Sequence, residues 1–86
     1  MNIRVSVSGR NYDIAGSLPD CLTLEEGASV TEAIDAVERL LPRGASLPAS
    51  CLVAVSGVHL GTVSQHAPRT LYDGDELVLI APVAGG

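Results

Sequence analysis

Ile3, Val5 and Val7 alternate with Arg4, Ser6 and Ser8 at the start of the chain, the period of a strand with one face turned to a core. Gly9 ends this run. The following "RNYDIAGSLPD" is rich in turn formers, including Gly16 and Pro19, and leads to "CLTLE", where Leu22 and Leu24 alternate with polar or small neighbours. The two runs predict a hairpin with a long loop. The period then changes. In "SVTEAIDAVERLLP", residues 29–42, Val30, Ala33, Ile34, Val37, Leu40 and Leu41 follow helical spacing, with Glu32, Asp35, Glu38 and Arg39 directed to water. Ser29 and Glu32 form a capping-box pair, in which each side chain can satisfy a free backbone N–H at the helix start. Pro42 closes the helix because a proline disfavours helical geometry in the residue before it.

Residues 43–50 read as a loop, "CLVAV" (51–55) as a strand and Gly57 as a turn. From Val58 to Glu76 the sequence predicts short irregular pieces, with a turn at Asp73-Gly74-Asp75. "LVLIA" (77–81) is a continuous apolar run, suited to a strand in the middle of a sheet. Within it Leu77, Leu79 and Ala81 are expected to face the helix. Val78 and Ile80 then face the opposite side, where Leu52 and Ala54 can join them, and an apolar patch there marks a partner surface. The order strand, strand, helix, strand, short pieces, strand predicts an α+β fold. One helix covers one face of a mixed sheet of four to five strands.

Eighty-six residues fit one domain. Hydrophobic residues make up 47% of the chain, yet Trp and Phe are absent and the aromatic residues are Tyr12 and Tyr72. The core is therefore aliphatic, with no aromatic platform for stacking bases. Ten acidic residues against five Arg give a formal charge of −5, and no basic cluster offers itself to nucleic acid or to a membrane surface. "MNIRVSVSGR" lacks the apolar core of a signal peptide, and no run is long enough to span a bilayer, so a cytoplasmic location is expected. In that setting Cys21 and Cys51 are expected to be reduced, small, buried hydrophobes rather than a disulfide or a metal site. Lys is absent altogether. A genome favouring Arg codons explains this, and so does a chemistry that amines would disturb.

The chain ends "DGDELVLIAPVAGG". Glycine is the residue that loses most freedom on ordering, so a Gly-Gly end is poor material for packing and good material for threading. With its element order, its Asp-Gly-Asp turn, its apolar last strand and the Pro-Val step before the glycines, the whole chain resembles the ubiquitin-like β-grasp sulfur carriers. It is most similar to the small subunit of molybdopterin synthase, with the thiamine-pathway carriers next. It departs from the molybdopterin type in reading Ile80-Ala81-Pro82-Val83 where that group looks more like "FPPVAGG", in having Ser56 where Asn is frequent, and in lacking early aromatic residues.

The resemblance implies a β-grasp domain over residues 1–81 and a flexible tail over 82–86. The C-terminal carboxylate of Gly86 is the reactive group, adenylated by an ATP-dependent, ubiquitin-activating-like enzyme and then converted to a thiocarboxylate with sulfur from a persulfide donor. Pro82, Val83, Ala84 and Gly85 thread that group into narrow partner sites, and Val78, Ile80, Leu52 and Ala54 form the docking patch. The recipient implied is the large subunit of molybdopterin synthase. Thiamine thiazole or another thiolation pathway is the alternative, and a β-grasp interaction module with incidental glycines is the third reading. No bound cofactor or metal is implied, and the domain is expected to carry no catalytic side chain of its own. His59 and His66 lack triad or ligand companions, and Asp73, Asp75 and Glu76 lack a full calcium-loop pattern.

Overall fold

The structure, a computed structural model, describes residues 1–8, 20–41 and 47–81. The tail expected at 82–86, most of the loop after the first strand and the first part of the 43–50 loop lie outside the described residues. Five strands and one helix follow in the order β1 (Asn2–Ser8), β2 (Cys21–Thr23), α1 (Val30–Leu40), β3 (Leu52–Val55), β4 (Val58–Thr62) and β5 (Glu76–Ile80). They form one sheet with spatial order β2-β1-β5-β3-β4. β1 and β5 run parallel, with Arg4 opposite Glu76 and Ser8 opposite Ile80, and the other pairs are antiparallel. This is the α+β, β-grasp arrangement expected. β5 sits in the centre, between β1 and β3.

The two periods seen in the sequence meet in the core. Val30, Ala33, Ile34 and Val37 of α1 pack over Ile3, Leu22, Val53, Val55, Leu77 and Leu79 of the sheet, all at most 8% exposed. Each fully buried aliphatic side chain contributes about 1.5–3 kcal/mol relative to exposure, and neither layer can bury its apolar face without the other. The core is aliphatic, as composition requires, and Tyr72 lies outside it at 67% exposure.

The helix start differs in detail from the expected reciprocal box. Ser29 Oγ accepts the Glu32 N–H at 3.2 Å, but the Glu32 carboxylate takes the Ser29 hydroxyl, at 3.4 Å. Backbone bonds to the segment before β5 hold the entry instead: Val30 N–H to the Arg69 carbonyl (2.9 Å) and Leu71 N–H to the Ala28 carbonyl (2.8 Å). At the other end Leu41 is extended (φ −71°, ψ 151°) and caps the helix, the geometry a residue before proline prefers. Leu40 departs from its expected core position. It is 47% exposed while Leu41 is buried, because the helix stops at Leu40 and the extended Leu41, not the last helical turn, closes the core.

The larger correction concerns residues 58–76. Val58–Thr62 is a strand, paired with β3 through a tight turn at Ser56-Gly57. Both turn residues have positive φ, 48° and 86°, as the mirror-image turns that suit two-residue hairpins require. The alternating pattern is broken by a register shift between Val53 and Ala54 and by Gly61, whose φ is 138° and where a Cβ would collide with the Gln65 carbonyl. A bulge and a glycine hide a strand from a period-2 reading.

Candidate partner face and tail exit

Alternation along β5 separates two environments. Leu77 and Leu79 are fully buried under the helix and Ala81 is 4% exposed, whereas Ile80 on the other face is 41% exposed. Val78 is half-buried. The β3–β5 register sets Leu52 opposite Ile80 and Ala54 opposite Val78. Directly opposed residues on one face of a sheet have Cβ atoms about 4.5–5.5 Å apart, so these four side chains make a two-by-two apolar block on the face the helix does not cover. Ser6 and Ser8 border it on β1, and His59 and Thr62 on β4.

The block lies at the end of the sheet where the chain leaves it. Ala81 still donates its N–H to the Ser8 carbonyl at 2.8 Å, extending the β1–β5 ladder one step past β5. The next residue is Pro82, which has no N–H to continue a ladder. Residues 82–86, including Gly86, lie outside the described residues, so the structure fixes their point of departure, beside Ile80 and Leu52.

A model of the ThiS family matches residues 5–86, nearly the whole chain. The chain belongs to the ThiS family. Its members are ubiquitin-like sulfur carriers with the β-grasp fold, and this chain is therefore a sulfur carrier; carriers of the family work with adenylating, E1-like enzymes and with sulfur-transfer partners. No curated protein matches the chain. Among the described residues no helix is long and apolar enough to cross a membrane.

In this ThiS family member the Asp-Gly-Asp turn is a structural clamp. Asp73 Oδ1 accepts the Asn2 N–H at 2.7 Å. The Asp75 carboxylate accepts the Tyr72 N–H and the Ser56 hydroxyl, both at 2.8 Å, with Arg69 at 3.8 Å. Ser56 Oγ in turn accepts the Glu76 N–H at 3.2 Å. These bonds lock the β3–β4 turn to the start of β5, and so fix the register that produces the apolar block. The carboxylates are engaged by backbone and hydroxyl donors and do not converge on a cation site.

The Tyr72 N–H holds the Asp75 carboxyl below its usual range, partial burial opposes it, and the Ser56 hydroxyl and Arg69 add to the lowering. A carboxyl lowered in the folded state stabilises it above the unfolded value of about 3.9. That contribution is lost as the pH falls through the folded value. Asp75→Asn is therefore expected to cost about 1–2 kcal/mol at neutral pH, a difference that disappears in acid. Urea unfolding of both proteins across the acid range measures it, and a pH-independent difference would contradict the assignment.

The histidines divide. His66 bridges the Thr62 carbonyl (2.9 Å) and the Thr31 hydroxyl (3.1 Å), tying the loop after β4 to α1, whereas His59 is exposed on the open face. Both cysteines are free, but they do not share the expected burial. Cys51 is buried, and burial raises its thiol pKa. Cys21 is exposed, because it stands on the open face of the short edge strand β2, opposite Arg4.

Proposed function

We propose that this carrier delivers sulfur in molybdopterin biosynthesis, as the small subunit of a molybdopterin synthase-like enzyme. The observation that carries the reading is the junction of the apolar block with a chain that continues "PVAGG" from its edge. A docking patch beside the departing chain lets a partner grip the domain and receive the last residues in its own active site. The Pro-Val step and the 43–50 loop favour the molybdopterin type over the thiamine carriers.

The chemistry proposed takes place at the carboxylate of Gly86. Its oxygen attacks the α-phosphate of ATP, pyrophosphate leaves, and the glycyl adenylate forms. A persulfide sulfur then attacks the carbonyl carbon and AMP departs. A second thiol cleaves the S–S bond, leaving the thiocarboxylate, whose sulfur is a softer and better nucleophile than oxygen. Gly85 and Gly86 carry no side chain to meet the wall of a tight channel, and Pro82, Val83 and Ala84 provide the reach. No cofactor is bound in this scheme; the adenylate and the thiocarboxylate are the carrier's covalent states. The formal charge of −5 suits a large subunit with a basic entrance and speeds association at low salt.

The test is to present the thiocarboxylated protein to the large synthase subunit of the same organism with the pterin precursor, and in parallel to the thiazole-forming enzyme. Dithiolene formation with the first and no transfer to the second supports the proposal. Sulfur delivered to the thiazole alone reassigns the carrier to the thiamine pathway.

A further inference from the structure

The missing lysines and the topology of β1 and β5 bear on one property that sulfur carriage by itself does not supply. An adenylated carboxyl is an acyl donor to any amine. The amine nitrogen attacks the carbonyl carbon, the C–N bond forms, AMP leaves with the C–O electron pair and the proton passes to solvent. An amide so formed is a dead end, because no sulfur nucleophile displaces it under mild conditions. We infer that this chain presents no amine to its own activated end, so that the adenylate persists for a sulfur nucleophile and neither cyclises nor joins one copy to another. The inference rests on adenylation at Gly86.

Two observations carry it. These 86 residues include five Arg and no Lys, and a guanidinium stays protonated and non-nucleophilic at neutral pH. Within these 86 residues the remaining amine is the α-amino group of Met1, and the fold keeps it from the tail. It donates to the Leu24 carbonyl at 2.8 Å and stands 3.7 Å from the Glu26 carboxylate, while Leu24 N–H returns a bond to the Met1 carbonyl at 2.9 Å.

Because β1 and β5 are parallel, Met1 lies at the end of the sheet opposite to the one the chain leaves. Ala81 is bonded to Ser8, and the seven steps from Met1 to Ser8 span about 22–24 Å of strand. Residues 82–86 reach at most about 16–18 Å when fully extended. The activated carboxyl falls short of its own N-terminus. The exposed Cys21 does not spoil the arrangement, since a thioester remains open to displacement by thiol or persulfide.

The experiment incubates the whole chain with its activating enzyme and ATP without a sulfur donor, follows ATP–pyrophosphate exchange, and reads intact mass. Three proteins are compared. The wild type is expected to exchange pyrophosphate and to give no amide product. Glu26→Lys, which places an amine beside Met1 and beyond the reach of its own tail, is expected to exchange pyrophosphate and to give no cyclised monomer, its amide products being confined to joined copies. Ser8→Lys, beside the tail's point of departure, is expected to accumulate a monomer lighter by one water, with fragmentation locating an amide between the introduced side-chain amine and the Gly86 carbonyl. Circular dichroism checks that both variants are folded. Amide-linked wild-type species, whether cyclised or dimeric, would overturn the inference while leaving the carrier chemistry intact, as would a Ser8→Lys protein that is adenylated, folded and free of amide. Absence of exchange in all three would remove the adenylation step and the inference with it.

Discussion

Deletion of Gly86 is expected to abolish thiocarboxylate formation while leaving a cooperatively folded domain. The shortened chain still ends in glycine, Gly85, and still carries a carboxylate, so its chemistry is unchanged; what changes is reach, by about 3.5 Å. Adenylation needs the carboxylate oxygen within a near-attack distance of about 3–3.5 Å from the α-phosphate, and a misplacement of only about 1 Å can cost about 100-fold in rate. A full residue of displacement therefore removes measurable activity. An added Ala after Gly86 fails for the opposite reason, placing a methyl group in the channel and the carboxylate beyond the phosphate. Intact mass after incubation with activating enzyme, ATP and sulfur donor reads the product directly, and thermal unfolding of the same samples separates lost reach from lost fold. Normal thiocarboxylate yield from the shortened protein would dismiss Gly86 as the reactive residue.

The features legible in the sequence are those imposed by a single local rule. Period-2 alternation marks β1, helical spacing with Ser29 and Pro42 bounds α1, and an unbroken apolar run identifies β5 as a central strand. The orientation of Val78 and Ile80 away from the helix follows from the burial of Leu77 and Leu79, since successive strand residues point to opposite faces. Where two rules act on one residue, the sequence misleads. β4 is hidden because the bulge at Val53/Ala54 and the positive φ of Gly61 break its alternation, although Ser56-Gly57 is itself a hairpin signal. Cys21 is expected inside because cysteine usually is; its place on a three-residue edge strand, known only from the pairing with β1, puts it outside. Position 56 has a backbone preference of its own, because its φ is positive and Asn tolerates positive φ better than most residues. Here Ser56 accepts the strain at φ 48° and uses its hydroxyl to hold Asp75 and Glu76.

The same register sets the expectation for the apolar block. Ile80 and Leu52 are cross-strand partners on the open face, 41% and 37% exposed, so a carboxylate at either position remains in water and costs the isolated fold little. In a docked complex that water is excluded. An unpaired carboxylate then loses its hydration without a partner, a penalty of several kcal/mol per ion, and a block of this kind forms the dry centre of an interface, where truncations cost most. Ile80→Asp is therefore expected to weaken association with the activating enzyme about 100-fold or more, about 2.7 kcal/mol by the usual conversion. Val78→Asp is expected to act in the same direction but to cost some stability too, since Val78 is half-buried between Ala54 and Ser6. Ser6→Asp, on β1 at the border of the block, supplies the control for added charge alone and is expected to change affinity little. Titration calorimetry against the activating enzyme, paired with urea unfolding of each variant, gives both quantities. Equal affinities for wild type, Ile80→Asp and Val78→Asp would place the docking surface elsewhere on the domain and leave the open face without a role in activation.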